Sequence, residues 1–520
     1  MGLFNYMPTA IAYASAALLT YFALLFAYRV TFHPLSKYPG PFLAKITEAY
    51  GGFYAMTMSL HLRTYEDHLK YGPVIRNGPN RLVFNSAQAM KDIYLNDRLF
   101  KSHIYNDIRH ADLKNSVFDT VDKPTHRWKR KLIGQGVSER SMRIFLPTML
   151  EQIDVFLDLL ASSSKTPVNM TDRLKRLGMD LISILALGYP LNTQTEEKNR
   201  FMINAHILGE FRGNLFLHFT TIKKLRIYEV LERLAAADVK HYFNTVENML
   251  KTRIEEDKNV RHDLYSLIGD EMNPNKEYSV SSEIWAELGF FFPAGGETTA
   301  SLLSAAFFYL ARHPDVYKKL ADEIRSTFAT DKEIVPGPKL SGCKYLRACL
   351  DETLRISPPV SGTPWRELPA DDASGEPLVI DGHVIPPGIE IGVNMYALHH
   401  NEEYFPEPFA FRPERWLEGG ATEGERKLMQ DAWAPFSMGA RTCPGRAMAN
   451  QQATLVMAKT FWSFDFETAP GELGKLGAGR KGLGVGRERE GEFQLYEIIA
   501  ATHDGPMLVF TRREDARGEV

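Results

Sequence analysis

One cysteine restricts what this chain can be more than any other residue. Cys443 stands in the run Phe436-Ser-Met-Gly-Ala-Arg-Thr-Cys-Pro-Gly445, a glycine-bounded loop followed at once by an apolar helical pattern. A sulfur placed before a helix N-terminus is favoured as the thiolate by the helix dipole and by the free amide donors there. Gly439 and Gly445 let backbone approach whatever the sulfur binds. Pro444 suits a first helical turn, and Arg441 adds positive charge two residues away. The loop therefore reads as a sulfur that ionises easily and serves as an anionic metal ligand. The competing reading of a lone cysteine is a small buried hydrophobe. The other two cysteines, Cys343 and Cys349, lack zinc spacing, and three cysteines make no disulfide framework. That pattern suits a reducing compartment.

Three patterns upstream bear on the same site. Ser281 to His313 is a long helical pattern interrupted by Pro293 and by Ala294-Gly-Gly-Glu-Thr-Thr299; two glycines and a proline should cost several kcal/mol in a helix, about 1 for each Gly and 3 for Pro, so something must compensate. An N-capping Glu-Thr step after a loop is the plainer alternative. Glu352-Thr-Leu-Arg355 sets a carboxylate and a guanidinium three residues apart on one helix face, and Phe411-Arg-Pro-Glu-Arg-Trp416 follows. His126-Arg-Trp-Lys-Arg130 places His126 and Arg130 on one helix face within a basic run that could equally be a solvated surface.

Together these motifs resemble those of the cytochrome P-450 family, with Phe436, Gly439, Arg441, Cys443 and Gly445 matching its haem-binding loop. The resemblance implies a mainly α fold with a small β-region, and haem b held by the Cys443 thiolate. It further implies that Glu297 and Thr298 form the acid–alcohol pair of a proton relay, in a distortion of the central helix that opens a groove over the iron. Glu352, Arg355 and Arg415 would form a buried structural triad behind the haem, with Trp416 where the family usually has Phe. His126, Arg130 and Arg366 would hold the haem propionates. The expected reaction is insertion of one oxygen atom of O₂ into a hydrophobic small molecule. Electrons would come from NADPH through a partner reductase, because no nicotinamide or flavin fingerprint stands in the chain. The basic residues from Arg127 to Lys131 are the expected docking face for that reductase. A non-redox haem-thiolate isomerase or dehydratase, or a haem sensor, is the alternative; retention of Glu297 and Thr298 speaks against the first.

Pro8 to Tyr28 carries no charge, and as a helix its 21 residues would rise about 31 Å, the thickness of a bilayer's hydrocarbon core. We read residues 1–30 as a membrane anchor. A cleaved signal peptide is the alternative, but no Lys or Arg precedes the apolar run. Arg29 and Lys37 follow it, which places the body on the cytosolic side of the endoplasmic reticulum membrane. Prolines at 34, 39 and 41 predict a stiff extended linker over 31–41, and residues 42–520 form the catalytic domain. The linker wording resembles that of fungal microsomal members of the family, which suggests secondary-metabolite biosynthesis; xenobiotic or aromatic-acid hydroxylation remains open. A net charge of −3 excludes a basic nucleic-acid-binding surface as the main feature. Short strands are expected at Val74–Pro79 and Arg81–Phe84, several amphipathic helices between Met142 and Asp270, and a flexible excursion over Gly471–Gly491.

Overall fold

The computed structural model describes residues 3–513 apart from 109–112, 164, 227–235, 278, 280 and 373. The first element is a helix, Leu3–Thr31, apolar all round. Its Thr9–Thr31 portion is, among the described residues, the one helix long and apolar enough to cross a membrane, and none of its residues is buried.

The linker differs from expectation. It is a series of turns, not an extended rod: the His33 amide returns to Tyr28 O (2.9 Å), Ser36 to His33 O (2.8 Å) and Tyr38 to Leu35 O (3.1 Å). Proline fixes φ but does not forbid turns, and Leu35 and Tyr38 are buried in the body. Arg76 completes the joint. Its guanidinium donates to Arg29 O at the end of the first helix (2.7 Å) and to Pro79 O (2.8 Å).

The body is mainly helical, as expected. The helix Glu283–Leu310 runs through its centre, with Ile284, Phe292, Leu303 and Phe308 buried on different sides. It passes through Pro293, Gly295 and Gly296 as one helix of 28 residues. What compensates for those residues is the helix Met170–Leu187. A Cβ on Gly178 would lie 2.3 Å from Gly296 O, and one on Gly295 would lie 2.8 Å from the Ile182 side chain. The glycines are thus the contact surface of two helices that cross at backbone distance. Around them pack the helices Glu139–Ala161, Pro314–Thr327, Lys344–Ile356 and Arg446–Ser463, whose apolar faces form the main core.

The small β-region is a five-stranded sheet in the order Val74–Gly78, Arg81–Phe84, Glu390–Val393, Arg366–Glu367, Phe100–Lys101. The expected pair aligns Val74 with Phe84 in antiparallel register. Beside it Leu378–Ile380 and His383–Ile385 make a hairpin whose turn, Asp381-Gly382, has positive φ at both residues, as a tight two-residue turn requires. The Gly471–Gly491 stretch is tied down more firmly than its composition suggests. Arg487 is buried and donates to Leu495 O and Met58 O, both at 2.9 Å.

Candidate active site

The loop before Arg446–Ser463 is built as the spacing implied, with one shift: the helix starts at Arg446, so Pro444 precedes it. Cys443 N donates to Phe436 O (2.9 Å), closing the loop, and Thr442 Oγ1 donates to the same oxygen (3.2 Å). Gly439 has φ +72°, and a Cβ there would lie 2.1 Å from Tyr94 O. A Cβ on Gly445 would meet only the Cys443 sulfur, at 3.9 Å. Cys343 and Cys349 are buried, whereas Cys443 is accessible.

The sulfur's electrostatics correct the expectation. Burial pushes the Cys443 thiol up, against the pull of the Gly445 and Arg446 amides and of Arg130 and Arg446. Arg441 is not among its partners, for its guanidinium donates to Thr120 O (2.7 Å) and Val121 O (3.1 Å). With burial outweighing those donors, a thiolate here needs a further cation, as a metal ion would supply.

A second cluster faces this loop. His126 is buried on the helix Lys123–Gly136, and its pKa falls to about 3 through burial and then through Arg441, Lys101, Arg130 and Arg366. The expected trio His126, Arg130 and Arg366 is brought together, but His126 is there as a neutral imidazole. Lys101 is the member that sequence reasoning missed: a lone lysine in a two-residue strand carries no signal. Its ammonium donates to Phe118 O and sits 3.9 Å from the Tyr105 ring and 3.7 Å from the Phe118 ring. Burial, Arg366 and Arg441 together drive its pKa well down. Arg441 itself is lowered to about 10 by burial and by Arg366. Cations this close destabilise one another unless anions join them, and the buried Asp119 is one anion the chain itself sets near Lys101. Phe118 stacks on Phe290 of the central helix at 5.2 Å and 10°, which links the cluster to that helix.

On the central helix, Glu297 is 2% exposed and both of its oxygens lack a hydrogen-bond partner among the described residues. Burial pushes its pKa up to about 7 against the pull of Lys175. Thr298 is partly accessible, and its hydroxyl donates to Ala294 O at 2.7 Å.

The triad is present and larger than expected. Arg355 donates through Nε and Nη2 to Glu352 (2.9 Å each), and Arg415 Nε donates to Glu352 Oε1 (3.0 Å). Trp416 adds its indole N–H to Glu352 Oε2 at 3.0 Å, a donor that Phe could not supply. Burial would raise the Glu352 carboxyl, but Arg355 and Arg415 hold it below the usual range. Arg355 also donates to His399 O (3.0 Å), and His399 Nε2 accepts from Ala434 N (3.2 Å), two residues before Phe436. The triad thus braces the cysteine loop. Lys129, expected on a docking surface, is instead buried between Glu283 (2.5 Å) and Glu287 (2.8 Å), leaving Arg127 and Lys131 exposed.

The model of the family described as cytochrome P450 matches residues 38–487. The chain belongs to the cytochrome P450 family. It is a haem-thiolate monooxygenase by that membership. Among curated relatives, it is 32% identical over 511 residues to the cytochrome P450 monooxygenase AKT7 of Alternaria alternata, covering 96% of this chain and 97% of the relative. It is 33% identical over 512 residues to the cytochrome P450 monooxygenase apf7 of Gibberella fujikuroi, covering 94% and 95%. The fold is similar to a crystal structure of the cytochrome P450DA heme domain, with TM-score 0.68 over 89% of this chain and 95% of that one at 19% identity. The residues present fit a haem: one accessible cysteine with Gly445 beside its sulfur, and a cluster of buried and half-buried basic side chains, Lys101, Arg130, Arg366 and Arg441, that two propionates would join.

Proposed function

We propose that Cys443 would hold the haem iron through its thiolate, that Lys101, His126, Arg130, Arg366 and Arg441 would hold the haem propionates, and that the enzyme oxidises a hydrophobic small molecule of fungal secondary metabolism. The accessible sulfur of Cys443, alone among the three cysteines, carries the assignment. The bound haem supplies oxygen activation, favoured by charge from its thiolate. The chain's own residues do the rest. The cationic side chains would fix the cofactor's orientation through charge-assisted hydrogen bonds, with His126 donating as a neutral imidazole. Glu297 holds a proton near neutral pH, and Thr298, whose own proton is engaged by Ala294 O, accepts a hydrogen bond from a donor in the distal space. Electrons come from NADPH through a membrane-bound reductase. The helix Leu3–Thr31 anchors the protein in the endoplasmic reticulum membrane with the body in the cytosol, in line with Arg29 and Lys37 on its C-terminal side.

The test is the Cys443→Ser variant. The reduced, CO-bound wild type should give the thiolate-type Soret band and the variant should not, because a hydroxyl is not an equivalent anionic donor. A normal band in the variant would remove Cys443 from the site. Product formation from a panel of apolar metabolites, with reductase and NADPH present, tests the reaction.

A further inference from the structure

The helix Met170–Leu187 and the segment Ala500–His503 bring two ionisable groups against Glu297 that the motifs do not include. Lys175 lies one turn from Gly178, which touches Gly296, so its side chain runs along the same helix crossing. It is buried, and its ammonium donates to Thr502 Oγ1 at 3.0 Å. Glu210, on the helix Phe201–His218, accepts from Ala500 N at 3.2 Å. Between these two contacts, Ser301 donates to Ala501 O at 3.0 Å, and Ser301 is one turn beyond Glu297 on the central helix. Lys175 and Glu210 thus both bond to one four-residue strip, and the central helix sets Ser301, one turn from Glu297, against the same strip. Glu210 is half-buried.

The charges decide what such a cluster holds. Two carboxylates and one ammonium carry a net −1 when all are ionised, which an apolar interior disfavours; one added proton makes the group neutral. We propose that Lys175 and Glu210 are positioning residues for Glu297: with it they retain one shared proton in the distal wall, available to the oxygen chemistry at Thr298. The proton leaves a carboxyl O–H of the pair for an acceptor in the distal space, the carboxylate left behind is balanced by Lys175, and solvent restores the proton. The electrostatics agree. Burial and then the charge of Glu297 raise Glu210 well above the carboxylate range. Burial lowers Lys175, with Glu297, Glu210, Asp172 and Asp504 opposing. His503 is buried nearby and kept neutral by burial and by Lys175.

This rests on Glu297 as the proton donor, so the sign of the effect can be worked out. Donation needs the protonated form, and product per NADPH should fall as pH rises through the midpoint of the pair. Lys175→Met removes the charge that favours ionisation, so the midpoint should move up by about 1–3 units. Glu210→Gln leaves a neutral Lys175–Glu297 ion pair with no spare proton, so the midpoint should move down. Lys175→Arg should restore the wild-type profile. Infrared spectra of the ferrous CO holoenzyme give a readout apart from turnover: the pair should show one protonated carboxyl at neutral pH in the wild type and two in Lys175→Met, with Glu210→Gln and Glu297→Gln as assignments. If Lys175→Met fails to bind haem, the downward shift in Glu210→Gln decides alone. Unmoved midpoints and an unchanged carboxyl count overturn the shared proton. If Glu297→Gln itself leaves coupling intact, the donor assignment falls instead.

Discussion

Gly178 and Gly296 meet at backbone distance: a Cβ on Gly178 would lie 2.3 Å from the Gly296 carbonyl oxygen and 2.9 Å from its Cα. The contact is not symmetric. A Cβ on Gly296 would find Gly178 at 3.6 Å, an ordinary van der Waals distance. The helix that carries Glu297 and Thr298 is therefore held against Met170–Leu187 by one side's lack of a side chain, and the position of Lys175 follows from the same crossing.

Gly178→Ala should force the helices apart and lower stability by at least the 1–3 kcal/mol typical of core overpacking. Gly296→Ala should be tolerated, since the methyl fits and alanine is the better helix former by about 1 kcal/mol. Thermal unfolding of the two holoenzyme variants checks the contrast, and equal losses would contradict it.

Glu352→Ala should abolish folded holoprotein. It would leave Arg355 and Arg415, both 0% exposed, without their carboxylate, at a cost of about 3–5 kcal/mol. Trp416→Phe should fold and lose about 1.5–3 kcal/mol, the worth of a hydrogen bond to a charged acceptor. Denaturant midpoints and haem content separate the two outcomes.

The local patterns were legible because each rests on a short spacing. The Cys443 loop, the Glu352–Arg355 face and the Val74–Phe84 strand pair are written within ten or so residues. What could not be read depends on distant contacts. Lys101 gains its meaning only when Phe100–Lys101 pairs with Arg366–Glu367, and Lys175 only when Gly178 meets Gly296. Three prolines favour an extended linker because φ is a local property, whereas the burial of Leu35 and Tyr38 that turns it is a tertiary one. The same holds for Arg487, whose partners Leu495 and Met58 lie outside the glycine-rich stretch that suggested flexibility.

Removing residues 1–27 should give a haem-binding protein, because Arg29 is kept and with it the Arg76 contact at the joint. Membrane affinity should fall but not vanish. Phe42, Leu43, Phe53 and Met56 are all exposed on the two short helices after the linker, and such apolar groups beside an anchor favour the interface. Changing these four to serine in the truncated protein should release it fully into the soluble fraction. Sedimentation with liposomes measures each step, and full release by truncation alone would show that the four residues do not touch the bilayer.

The Thr298 hydroxyl gives the most specific expectation. Its proton is donated to Ala294 O at 2.7 Å, so what it offers to the distal space is an acceptor lone pair. Thr298→Ala removes that acceptor and a methyl group, while the helix keeps its backbone bonds; haem binding and substrate-binding spectra should stay close to wild type. Thr298→Val keeps the shape and removes only the oxygen. Both should uncouple the reaction: NADPH consumption continues, product falls and hydrogen peroxide rises. One well-placed hydrogen bond in a transition state is worth about 2.7–4 kcal/mol, and less where water substitutes, so a loss of product up to about a thousandfold, and smaller with water in its place, is expected. Thr298→Ser keeps the acceptor on the same backbone and should recover most of the coupling. Equal product per NADPH in Thr298→Val and wild type would show that the hydroxyl serves only the helix, through Ala294.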